Sequence, residues 1–68
     1  MIVTVNGEAT ELPEGSTVAA IVKRMDLPGI RRGIAVAVDA EVVPRAEWDE
    51  RVVGEGARVE VVSAVQGG

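Results

Sequence analysis

Few residues in this 68-residue chain invite chemistry, and the ones that do stand last, Gly67 and Gly68. A mid-chain Gly-Gly would be a turn. At a terminus it is expected to leave an unbranched tail that can thread a slot too narrow for any other residue and present its carboxylate, on Gly68, to a reagent. Gln66 and Gly67 would give that tail its access. Other chemistries are closed off by composition. The chain has no Cys and no His. Zinc sites of the Cys/His kind, thiol nucleophiles, disulfides and imidazole bases are therefore excluded. A chain without Cys cannot carry sulfur as a side-chain persulfide, so any handling of sulfur would fall to the main-chain terminus. Gly7, Gly15, Gly29, Gly33, Gly54 and Gly56 are scattered as turn residues, without the spacing of a phosphate-binding loop. Asp39, Glu41, Glu47, Asp49, Glu50, Glu55 and Glu60 have no evident acid–base partner and read as a solvated surface. The chain is expected to be no enzyme and to hold no metal or cofactor of its own.

The net charge of −4 argues against a nucleic-acid backbone as partner and fits a soluble protein that meets basic surfaces. No stretch approaches the roughly 18 apolar residues of a membrane span, and no signal peptide precedes the first strand, so a cytoplasmic location is expected.

The elements that must hold such a tail follow from the patterning. Residues 1–5 alternate as a strand, with Val3 and Val5 on one face and Ile2 and Thr4 on the other. Asn6-Gly7 is a strong hairpin signal, because a type I′ turn needs positive φ at both central positions. Residues 8–12 return as the second strand, and Pro13-Glu14-Gly15 ends it. Ser16 or Thr17 can cap a helix over 18–25, where Val18, Ile21, Val22 and Met25 form one apolar stripe. Lys23 and Arg24 near its end suit the helix macrodipole, and Pro28-Gly29 stops it. Residues 30–33 make a basic connection in which Arg31 and Arg32 read as a polar link. The apolar run 34–38 predicts a central strand. Asp39-Ala40 turns the chain into a short strand, 41–43, ended by Pro44. Residues 45–50 could make one helical turn that returns Trp48, the only aromatic, to the core. Residues 58–65 predict the last strand, with Val59 and Val61 inward and Glu60 and Val62 outward.

This order predicts one α+β domain over residues 1–68, with a mixed sheet of about five strands, one helix across a face and a flexible tail at 63–68. The β-grasp fold has this order. A chain of this length buries only about 60% of its unfolded surface, so the core is thin and leaves no room for a deep pocket. Ile34, Val36 and Val38 would face the helix. Ala35 and Ala37 would then face away, beside Ile2, Thr4, Glu60 and Val62, as a mildly apolar strip suited to a partner.

With order and ending together, the chain resembles the ThiS family, the ubiquitin-like sulfur carriers of thiamine biosynthesis. The resemblance spans essentially the whole chain. It includes the strand into Asn6-Gly7, the helix start Gly15-Ser16-Thr17-Val18, and Val52-Val53 with Glu55-Gly56. Its most specific internal segment is Val42-Val43-Pro44-Arg45-Ala46-Glu47-Trp48, similar to the family's V-P-R-x-x-W pattern. It closes on Val65-Gln66-Gly67-Gly68. A terminal Gly-Gly is shared with ubiquitin and with the small subunit of molybdopterin synthase, and the Pro-Arg-x-x-Trp segment favours the thiamine branch.

The resemblance implies a carrier cycle. A ubiquitin-activating-type adenylyltransferase (ThiF-like) would bind ATP and couple AMP to the Gly68 carboxylate. A sulfur donor such as a cysteine desulfurase would replace AMP and leave a thiocarboxylate, and thiazole synthase (ThiG-like) would accept the sulfur. The chain would be a co-substrate, monomeric when free. An α-carboxyl has a reference pKa of about 3.3–3.7, so the terminus is ionised for this step. Six residues of tail reach about 20 Å when extended. Ala35, Ala37, Val62 and Arg45 are the candidate partner surface, and Trp48 reads as a core filler. The alternatives are a sulfur carrier for another pathway (molybdopterin or a sulfur-containing metabolite), a ubiquitin-like protein modifier, or an interaction domain whose Gly-Gly is incidental.

Overall fold

A computed structural model describes residues 1–25 and 33–63. The expectations for Pro28-Gly29, Arg31, Arg32, Gln66, Gly67 and Gly68 lie outside the described residues.

The chain opens with β1 (Ile2–Val5) and β2 (Glu8–Glu11), an antiparallel pair in which Val5 stands opposite Glu8. The joining pair Asn6 and Gly7 holds φ of +53° and +83°, the positive values that a type I′ turn demands. Met1 extends the hairpin, since its amino group donates to Leu12 O at 2.8 Å.

The helix α1 (Val18–Met25) has the bounds that its apolar spacing predicts, and Val18, Ile21 and Val22 are buried. Thr17 is the cap. Its Oγ1 accepts from the Ala20 N–H at 3.2 Å, whereas Ser16 Oγ donates backward to Pro13 O. The first two helical N–H groups reach across the molecule, Val18 to Arg51 O and Ala19 to Trp48 O, both at 3.0 Å. The helix start is thereby joined to the segment before the last strand, and its donors are taken up by protein carbonyls.

β3 (Ile34–Val38) and β4 (Glu41–Val43) form a second antiparallel hairpin with Val38 opposite Glu41. Its turn is Asp39-Ala40, with φ of +52° and +71°. A single turn of 3-10 helix (Arg45–Glu47) follows Pro44. It swings Trp48 back into the core, where the ring is 8% exposed and its Nε1–H donates to Val43 O at 2.9 Å. This is the core role expected of the one aromatic.

β5 (Arg58–Ser63) then enters the middle of the sheet. The strand order is β2-β1-β5-β3-β4, with β5 parallel to β1 and antiparallel to β3. This five-stranded mixed sheet under one helix is the ubiquitin-like β-grasp architecture. Val3, Val5, Val36, Val38, Val43, Val59 and Val61 all point to the helix side, and with Leu12, Trp48, Val53 and the α1 stripe they make one core. Fully burying a Val or Leu side chain stabilises by about 1.5–3 kcal/mol relative to leaving it exposed, so these side chains carry the fold. No buried side-chain polar atom among the described residues lacks a hydrogen-bond partner.

Candidate functional site

The last strand, β5, precedes residues 64–68 in the sequence and is paired on both sides. Val59 is fully buried and Val61 is 7% exposed. Along one side β5 pairs with the whole length of β3, from Val59 opposite Val38 to Ser63 opposite Ile34. Along the other side the Thr4 N–H donates to Ala57 O at 3.0 Å and the Asn6 N–H to Val59 O at 2.9 Å. The ladder from β1 should stop there, because the chain turns away at Asn6-Gly7. The Asn6 side chain continues it. Its Oδ1 accepts from the Val61 N–H at 2.8 Å, and its Nδ2–H donates to Val61 O at 3.2 Å. Sequence reasoning saw Asn6 only as a turn residue.

The opposite face of the sheet carries the expected strip, with changes. Ala35 and Val62 are cross-strand partners, both exposed, and Ala37 pairs with Val42 on one side and Glu60 on the other. Val42, 69% exposed, belongs to the patch and was missed. Its signal was available: it alternates with the inward Val43 in a strand that must pair with β3. Ile2 is exposed, but it lies at the far end of the face, beyond Thr4, Arg58 and Glu60. The apolar part is therefore Ala35, Ala37, Val42 and Val62. Arg45 does not join it. Its guanidinium sits over the Trp48 ring, 5.1 Å from the centroid, on the helix side of the sheet. Around β1 and β5 the outer face dips into a shallow hollow lined by Thr4, Asn6, Gly7, Arg58, Glu60 and Val62.

Charged side chains add little internal chemistry. Among the described residues the ion pair Arg51–Glu41 spans 3.6 Å between a partly exposed arginine and an exposed glutamate, and such surface pairs contribute about 0–1 kcal/mol. No three acidic side chains of the described residues converge as a metal site would require. No helix among them is long and apolar enough to cross a membrane.

The sequence model of the ThiS family matches residues 3–68. The chain belongs to the ThiS family. This ThiS-family chain is 26% identical to the "Sulfur carrier protein ThiS" of Escherichia coli (strain K12), over the whole length of both. Its fold is similar to the crystal structure of the thiamine biosynthesis protein ThiS from Geobacter metallireducens, with TM-score 0.84, 26% identity and full coverage of both chains. A solution structure of a thiamine biosynthesis protein from the same organism gives TM-score 0.78 at 26% identity, covering all of this chain and 88% of that one. The family and the fold expected from the sequence are thus borne out.

Proposed function

We propose that this protein is a sulfur carrier of thiamine biosynthesis, acting as a co-substrate whose Gly68 carboxylate is the group modified. The single observation that carries this reading is the ThiS-family match over residues 3–68, which takes in Gly67 and Gly68. The full-length likeness to a carrier of that name supports it.

The chemistry follows from the carboxylate. A carboxylate oxygen attacks the α-phosphorus of ATP in a partner adenylyltransferase of the ubiquitin-activating type, and pyrophosphate leaves. The free carboxylate is a poor acyl donor, but the mixed anhydride with AMP is a good one. Sulfide, released by a thiol reductant from the persulfide of a cysteine desulfurase, then attacks the carbonyl carbon and AMP leaves. The thiocarboxylate that results passes its sulfur to thiazole synthase, and the carboxylate returns. ATP is the partner's substrate and this chain binds no cofactor of its own. Gly67 gives the close approach, since glycine adds no side chain to clash with the partner's channel, and Gln66 leads into it. Such a cycle belongs in the cytoplasm, with the carrier monomeric between encounters.

Ala35, Ala37, Val42 and Val62 are the surface assigned to docking on the activating enzyme or on thiazole synthase. Their place on one face of β3, β4 and β5 supports this, because a contiguous apolar patch that includes Val62 near the end of β5 lets a partner grip the domain while taking its terminus. Arg45 is better explained by its contact with Trp48, and a partner role for it rests on the family segment alone.

The test is the intact mass of the purified chain after incubation with its own organism's adenylyltransferase, ATP and a sulfide source. The expected result is a shift equal to one oxygen replaced by sulfur, mapped to Gly68 and absent when Gly68 is deleted. No shift, with the enzyme active on a known carrier, would overturn the pairing. Isopeptide conjugates to lysines in cells would instead favour a protein modifier.

A further inference from the structure

We propose that Asn6 is a positioning residue for the reacting terminus: its side-chain amide stands in for a missing strand and fixes the line along which β5 delivers the tail. The inference rests on the carrier reading and deepens it. In β5 the backbone groups of alternate residues face β1. Ala57 O and Val59 O take N–H groups from Thr4 and Asn6. The next such position is Val61, and β1 has no peptide left to offer it, because Asn6 and Gly7 turn back into β2 with φ of +53° and +83°. The Asn6 amide accepts from Val61 N–H at 2.8 Å and donates to Val61 O at 3.2 Å. It reproduces the donor and acceptor of a peptide one step beyond the end of the strand.

Asparagine suits both demands made at this position. Its short polar side chain tolerates a positive φ better than most L-residues. Its amide also carries a donor and an acceptor together, as a backbone peptide does. Glycine would meet the first demand and not the second. Aspartate would offer an acceptor to the N–H and a second oxygen, wrongly, to the carbonyl.

The consequence for the reaction is geometric. With the clasp, β5 is held on both sides as far as Val61. Without it the last hold on the β1 side falls back to Val59. Pairing with β3 continues to Ser63, so the end of β5 is then held from one side alone and can splay. The terminus then searches a wider volume before it finds a partner's site, which costs encounter and orientation. Once the tail is seated, the partner sets the geometry of carboxylate and ATP. Loss of the clasp should therefore raise KM for the carrier and spare kcat.

The experiment compares the full chain with Asn6→Gly, which keeps the turn, and with Val22→Ala, a core change on α1 that takes no part in the clasp. Two quantities are read: amide hydrogen exchange at Val61 against Val59, and the KM and kcat of carrier adenylation by the partner enzyme with ATP. The expected result for Asn6→Gly is exchange about tenfold faster at Val61 with Val59 little changed, and KM raised about threefold or more at similar kcat. Val22→Ala should lower the melting temperature at least as much and leave KM in place. Unchanged exchange at Val61 would overturn the clasp. Faster exchange with unchanged KM, or an equal rise in KM from Val22→Ala, would reduce Asn6 to a structural residue. Failure of the wild-type chain to be adenylated would overturn the carrier reading itself and with it the purpose assigned to Asn6, and the exchange data would keep the two failures apart.

Discussion

Ala40 holds φ of +71° at the second central position of the β3–β4 turn, where a type I′ hairpin favours glycine. The left-handed region costs an L-residue about 1–2 kcal/mol, because Cβ crowds the following carbonyl. Its neighbour Asp39 helps to hold the turn against that cost. The Asp39 N–H donates to Arg58 O at 2.8 Å, and Asp39 Oδ1 accepts from the Arg58 N–H at 3.0 Å. Replacing Ala40 with Gly relieves the crowding and gives back part of the gain through a freer unfolded chain. The net expectation for Ala40→Gly is a stabilisation of about 0.5–1 kcal/mol, read from urea unfolding followed by Trp48 fluorescence. An unchanged or lower midpoint would mean that the turn is not strained. Asn6 and Asp39 occupy equivalent first positions in their turns, and each uses its side chain on β5. The two hairpins thus grip the last strand from opposite sides through one type of contact.

At the scale of elements, α1 depends on what surrounds its first turn. It has only eight residues, too short to persist by propensity alone. Its apolar stripe and its cap hold it in place. Thr17→Ala removes the acceptor of the Ala20 N–H and should cost about 1 kcal/mol, a drop of about 4–8 °C in melting temperature for a domain of this size. Thr17→Ser should retain most of the stability, and thermal melts of both variants followed by circular dichroism check the pair. An Ala variant that melts like the wild type would show that the bonds to Arg51 O and Trp48 O alone secure the helix start. The two sheet edges are unlike each other. β4 is three residues long and is followed at once by Pro44, which has no N–H to offer. β2 is longer but carries exposed Glu8 and Glu11. Both devices discourage edge-to-edge pairing between copies of the chain.

At the scale of the molecule, the core and the partner surface use opposite faces of one sheet. Buried apolar residues run from Val3 to Val61 on the helix side. The outer face of β3, β4 and β5 is left to Ala35, Ala37, Val42 and Val62. A charge placed there should disturb docking without disturbing the core. Ala37→Glu is expected to weaken binding to the adenylyltransferase or to thiazole synthase by about tenfold or more, as for the loss of a centrally placed interface contact. Its melting temperature should stay within a few degrees of the wild type. Titration calorimetry against each purified partner checks this, and unchanged affinity for both would remove the patch from the docking surface. The acid-rich chain, with net charge −4, should also associate faster with a basic partner at low salt than at high salt, in keeping with long-range attraction.

Local rules in the sequence determined much of this protein. Asn6-Gly7 specified a turn because few other pairs accept two positive φ values. The spacing of Val18, Ile21 and Val22 specified a helix and its buried side, and the alternation in 34–38 and 58–62 specified which side chains face it. The absence of Cys and His excluded whole classes of chemistry, and the Pro-Arg-x-x-Trp segment with Gly67-Gly68 indicated the family. Tertiary structure decided what depends on partners distant in the chain. It chose Thr17 over Ser16 as the cap, because the neighbouring loop fixes which oxygen points at the helix. It put Val42 in the outer patch and Ile2 outside it, because strand register sets which exposed residues become neighbours. It placed Arg45 on Trp48, away from that patch. It also gave Asn6 a second role, because only the insertion of β5 between β1 and β3 creates a Val61 peptide that needs a partner, 55 residues along the chain. Periodicity reports the side a residue faces, whereas the partner it finds there is set by the packing of segments far apart in sequence.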